Sequence, residues 1–104
     1  MKKCYDKLVR DRIPEIIETT GKTCVTEILS RDAYIQKLDE KLNEELAEYQ
    51  QSKSLEELAD LLEVMDAVVK ARGYTWEALT ALKEEKYAAR GGFEQQILLK
   101  EVSD

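Results

Sequence analysis

The sequence predicts an all-α fold: an antiparallel bundle of about four helices, one domain over residues 1–104, with short extended segments at both ends. Three observations carry this reading. Residues 22–72 contain neither glycine nor proline and are dense in Leu, Glu, Lys and Ala, residues that lose little on entering a helix. Apolar residues recur there at three- and four-residue intervals, the period of a single helix face. The few breakers, Pro14, Gly21, Gly73, Gly91 and Gly92, stand where helices should start or stop.

The first helix starts near Pro14, which presets φ for a first helical turn, turns Ile13, Ile16 and Ile17 inward, and stops at Gly21. Cys24–Leu29 reads equally as a short strand or a loop. The second helix runs from about Arg31 to Tyr49, capped by Ser30 or Asp32, with Ile35, Leu38, Leu42, Leu46 and Tyr49 on one stripe. A single helix across 22–72 is too long for a small globular domain, and the polar Gln50–Ser54 stretch breaks it; Ser54 followed by Glu57 reads as a capping box. The third helix runs from about Leu55 to Arg72 and ends at Gly73. Its Leu58, Leu61, Leu62, Val64, Met65, Val68 and Val69 are more apolar surface than one partner helix needs. The fourth, capped by Thr75, runs from Trp76 to about Arg90 and is stopped by Gly91-Gly92. Phe93–Val102 is apolar enough to lie extended against the body, beside the N-terminal residues.

Composition narrows the chemistry. Sixteen basic against 22 acidic residues give a net charge of −6, unsuited to tracking a nucleic-acid backbone. At 43% hydrophobic residues the chain is too apolar for a disordered acidic tail. The absence of histidine excludes Ser-His and Cys-His catalytic pairs and any zinc site that needs an imidazole. Cys4 and Cys24 make no CxxC and no disulfide framework, and the N-terminus opens no signal peptide. A reducing, cytoplasmic setting with no membrane partner is expected.

One position breaks the helical pattern. At about 100° per residue, Glu45 falls inside the apolar stripe of the second helix, and Glu48 follows at its edge. A carboxylate facing a core must be paired or must hold a cation. On the third helix Glu57 and Asp60 stand one turn apart, on a face shared with Leu61 and Val64. Two consecutive helices joined by a short connection pack antiparallel, which brings Glu45, Glu48, Glu57 and Asp60 together. Carboxylates without histidine or cysteine form a hard-oxygen site suited to Mg²⁺ or Mn²⁺. Without a cation, two such charges 4 Å apart repel by about 4 kcal/mol at an effective dielectric of 20. The competing reading is a solvated acidic face on a helical dimerisation or regulatory module. Basic residues come in two groups: Lys83, Lys86 and Arg90 on the fourth helix, and Lys7, Arg10 and Arg12 before the first. Facing the carboxylates, either group would complete a phosphate-binding arrangement.

These residues resemble a known family. Glu44-Glu45-Leu46-Ala47-Glu48 followed by Glu57-Leu58-Ala59-Asp60 is similar to the EExxE…ExxD signature of the all-α nucleotide pyrophosphohydrolases, the MazG-like superfamily. The flanks, Tyr5–Ile17 and Lys86–Glu94, resemble those of a small subgroup labelled phosphoribosyl-ATP pyrophosphohydrolase-like. The resemblance implies hydrolysis of a nucleotide between its α- and β-phosphates, releasing a monophosphate and pyrophosphate. It implies that Glu45, Glu48, Glu57 and Asp60 hold Mg²⁺, with Mn²⁺ as the substitute, and that Glu44 orients or deprotonates water. Lys86 and Arg90, then Lys7 and Arg10, would contact phosphates. It also implies a homodimer or homotetramer, with the helical core completed across subunits. Two departures stand out: only eight residues separate Glu48 from Glu57, and Glu63-Val64 follows Asp60-Leu61-Leu62 where the histidine-synthesis enzymes carry tyrosine-histidine. A hydrolase that clears canonical or damaged nucleoside triphosphates is thus at least as well matched as a phosphoribosyl-ATP hydrolase, and a nucleotide-binding member without turnover remains a third form.

Overall fold

The computed structural model describes residues 2–104 and is all-helical, with four helices and no strand among the described residues. They are α1 (Ile13–Glu18), α2 (Arg31–Ser52), α3 (Leu55–Ala71) and α4 (Trp76–Arg90). Each of the three long helices begins at a hydroxyl cap. Ser30 accepts from Ala33 N–H, Ser54 from Glu57 N–H, and Thr75 from Ala78 N–H, satisfying a donor that the first turn leaves without an intrahelical partner. Ser30, not Asp32, therefore caps α2. That helix runs three residues past the expected Tyr49, because Gln50, Gln51 and Ser52 tolerate helical backbone. Lys53 ends it in the left-handed region at φ 56°, its N–H bonded to Tyr49 O. Because the Ser54 hydroxyl caps the first turn of α3, Ser54→Ala is expected to lower stability by about 1 kcal/mol, read as a lower urea midpoint at unchanged slope.

The centre of the fold is the antiparallel α2–α3 pair. At one end Arg72 Nη2 lies 2.8 Å from Asp39 Oδ2, and Arg31 donates to Ala71 O, so the start of α2 is tied to the end of α3. Between them Leu38, Val64 and Ala71 form a small core, flanked by Tyr34, Ile35, Leu42, Ala67 and Val68. The extended N-terminal segment adds Leu8 to this core. The site described below occupies the opposite end of the same interface, where the apolar stripe gives way to carboxylates.

Several expectations are corrected. α1 is a six-residue turn ending at Glu18, before Gly21, and it buries nothing; Ile16 is exposed and Ile13 and Ile17 are half-buried. Of the two readings left open for Cys24–Leu29 the structure takes the loop, with Val25 and Ile28 almost fully exposed. Leu46, placed on the inner stripe of α2, is exposed instead. Phe93–Val102 does not lie against the body: Phe93 is 98% exposed, and Ile97, Leu98, Leu99 and Val102 are exposed with it. The cause is the path of α4. Trp76 rests beside Ala59, Leu62, Glu63 and Asp66 of α3, but every residue from Ala81 onward is exposed, so the helix carries the tail away from the core. The chain is accordingly elongated, 64 × 31 × 24 Å, with a radius of gyration of 18.6 Å, against about 13 Å for a compact chain of this length. No helix among the described residues is long and apolar enough to cross a membrane.

Candidate metal centre

The excess apolar surface of α3 and the misplaced carboxylate of α2 have separate consequences. The outer α3 side chains Leu58, Leu62 and Met65 remain exposed. On the inner side Glu45 is 6% exposed, the one buried charged residue among those described. Two groups of carboxylates meet at it. Glu44, Glu45 and Glu48 of α2 each bring a carboxylate oxygen within 4.8 Å of the others, and Glu45 does the same with Glu57 and Asp60 of α3. Of the four residues expected to hold a cation, the structure brings Glu45, Glu57 and Asp60 together across the two helices, while Glu48 meets Glu45 only in the second group, beside Glu44 on α2.

Polar bookkeeping across the cluster is incomplete. Glu45 Oε2 and Glu57 Oε2 are buried with no hydrogen-bond partner, an arrangement that costs free energy unless a proton or a cation occupies the space. Glu57 is informative here. In a capping box its carboxylate would return to the Ser54 N–H, but that N–H donates instead to Ser52 Oγ at 3.2 Å. Ser54 still caps through its own hydroxyl, so the carboxylate of Glu57 is released from capping and turns into the cluster.

Cations stand around the rim rather than in the gap. Lys41 Nζ lies 3.4 Å from Glu44 Oε1 and 3.3 Å from Glu45 Oε1. Lys7 Nζ reaches Glu44 Oε1 at 3.0 Å, and Arg10 Nη2 reaches Asp60 Oδ1 at 2.7 Å. Adjacent glutamates are consequently pushed in opposite directions. Burial raises the Glu45 carboxyl above the ordinary glutamate value, and the neighbouring Glu48 carboxylate reinforces this against the pull of Lys41. Burial also pushes Glu44 upward, but the hydrogen bond from Lys7 and the charge of Lys41 outweigh it and lower that carboxyl. Lys7, hydrogen-bonded to Glu44, is held above the ordinary lysine value.

The other basic group is placed differently. Lys86 and Arg90 are exposed on the far half of α4 and form no ion pair or hydrogen bond with any carboxylate of the cluster in this chain. Between them and the tail, Tyr87 Oη lies 3.1 Å from Glu94 Oε1, with both side chains packed close over Gly92. Lys41 is the residue that the sequence reading missed. Its signal was present, since it stands three and four residues before Glu44 and Glu45, the spacing at which helical side chains meet. All ligand candidates are oxygen donors, and a dense carboxylate set with buried unpartnered oxygens fits a hard divalent cation such as Mg²⁺ or Mn²⁺.

Comparison with known proteins adds little chemistry. No family model matches the chain, and no solved structure matches it. An uncharacterized protein of Mycolicibacterium smegmatis is 57% identical over 42 residues, which cover 40% of this chain and 43% of that relative. The match thus spans less than half the length of either protein.

Proposed function

We propose that this chain is a MazG-like all-α nucleotide pyrophosphohydrolase that cleaves a nucleoside triphosphate or related nucleotide between its α- and β-phosphates, with Mg²⁺ as cofactor. The observation that carries the reading is Glu45: a nearly inaccessible glutamate whose free Oε2 shares a gap with Glu57 and Asp60. A helix that served packing alone would fill that position with leucine, as it does at Leu38 and Leu42.

In this reading Glu45, Glu48, Glu57 and Asp60 hold the ion. Bound there, Mg²⁺ supplies neutralisation of polyphosphate charge and a lowered water pKa. The remaining work falls to the chain. Glu44, ionised and oriented by Lys7 and Lys41, orients the attacking water and accepts its proton. Lys7 and Arg10 stand at the rim, where the charge of a departing pyrophosphate would develop. Lys86 and Arg90 project from α4 as further phosphate contacts, and reach a site through assembly with a second copy. The elongated shape and the exposed Leu58, Leu62 and Met65 support a homodimer or homotetramer.

The test is product analysis. With Mg²⁺ and a panel of canonical, deoxy and oxidised nucleotides, including phosphoribosyl-ATP, at least one is expected to yield pyrophosphate and a monophosphate. Orthophosphate as the product, or no turnover of any member, overturns the assignment. In the same preparation Mg²⁺ alone is expected to raise the melting temperature, because the folded cluster binds the ion and the unfolded chain does not.

A further inference from the structure

The segment before α1 does more than cover the core. Asp6 adopts φ 47°, a bend in the left-handed region, and Lys37 Nζ of α2 lies 3.4 Å from its carbonyl oxygen. Two residues on, Leu8 packs against the core cluster of Leu38, Val64 and Ala71. Lys7 and Arg10, on either side of this anchor, reach opposite walls of the acidic cluster: Lys7 to Glu44 on α2, Arg10 to Asp60 on α3. Arg10 also lies 4.0 Å from Glu63. A cavity of about 170 Å³ lies beside this contact, lined by Asp6, Lys7 and Leu8 of the segment and by Lys37, Lys41 and Glu44 of α2. Leu8 lines the same cavity, so the charged arms and the apolar anchor of the segment border one open space.

We infer that residues 2–12 form a counter-ion strap that competes with the divalent ion for the cluster and regulates its loading. Without the ion, Lys7 and Arg10 neutralise Glu44 and Asp60. When an ion binds, Arg10 gives up Asp60 to it and becomes available to a phosphate oxygen, so loading of the site and exposure of its phosphate-binding cations are one event. The inference rests on the proposed metal centre and adds competition to it. Linkage makes the competition measurable: a group that stabilises the ion-free state must weaken ion binding by the same factor.

The experiment titrates Mn²⁺ alone into the full chain, followed by the electron paramagnetic resonance of the free ion, for wild type, Arg10→Ala, Arg10→Gln and Asp60→Asn. Folding of each is checked by circular dichroism. Both Arg10 variants are expected to bind Mn²⁺ about threefold more tightly than wild type, the range that an exposed ion pair commands. In wild type, Mn²⁺ is expected to accelerate tryptic cleavage after Arg10. Unchanged or weaker Mn²⁺ affinity in both Arg10 variants, while Asp60→Asn loses binding, overturns the strap and leaves the metal centre standing. Absence of Mn²⁺ binding to wild type overturns the metal centre and the strap together.

Discussion

Asp60→Asn is expected to reduce pyrophosphate release by about a hundredfold or more at saturating Mg²⁺, with little loss of fold. The side chain keeps its shape and one oxygen, but loses the charge that would hold an ion together with Glu45 and Glu57. Asp60 is half-exposed and its pairing with Arg10 lies at the surface, so removing that pair alters stability little. Glu63→Gln is the control. Glu63 touches the same Arg10 at 4.0 Å but lies outside both carboxylate groups, and its variant is expected to retain activity within a factor of about two, as a surface pair would. Initial rates of both variants decide the matter: an Asp60→Asn protein with wild-type turnover moves the metal elsewhere.

Glu45→Leu is expected to stabilise the protein in chelator, because Lys41 keeps its pairing with Glu44, while abolishing the Mg²⁺-dependent rise in melting temperature. Leucine matches the apolar stripe and removes a buried charge with an unpartnered oxygen. The pH dependence follows from the direction of the Glu45 shift. Burial raises this carboxyl in the folded state, so its contribution to stability is fully present below the ordinary glutamate value and is lost as pH rises through the folded value. The advantage of Glu45→Leu over wild type should thus be greatest above that raised value and shrink as pH falls below it. Glu44 runs the other way. Its lowered carboxyl stabilises the fold above the ordinary value, and that contribution is lost as pH falls through the lowered one. Urea unfolding across pH 3–8 (about the span over which carboxylates titrate), with and without Mg²⁺, reads both effects. A Glu45→Leu protein less stable than wild type in chelator would mean that the glutamate is satisfied where it stands.

Much of the helical architecture was legible because its signals are local. Ser54 and Thr75 cap the third and fourth helices as read, Ser30 was one of two caps considered for the second, and the α2–α3 break falls at Lys53, inside the expected polar stretch. Glu45 was legible for a related reason: a helical period places a residue on a face whatever its chemistry, so a carboxylate on an apolar stripe declares itself. The tail was not legible. Phe93, Ile97, Leu98 and Leu99 are hydrophobic enough to seek a surface, but hydrophobicity carries no direction, and α4 takes them away from the core between α2 and α3. The same limit explains Ile16 and Leu46, apolar residues at helical spacing that found no partner.

By itself the sequence determined the four helices, the hydroxyl caps of the third and fourth, and the presence of one acidic residue on an inward face, because backbone hydrogen bonding and a fixed turn angle act over a few residues. Only the tertiary structure decided that Glu57 leaves its cap for the cluster, that Lys41 bridges two neighbouring glutamates, and that Lys7 and Arg10 cross to Glu44 and Asp60 while Lys86 and Arg90 do not. Those pairings join residues up to 50 positions apart. Electrostatic attraction selects among them only after the α2–α3 interface has set the distances.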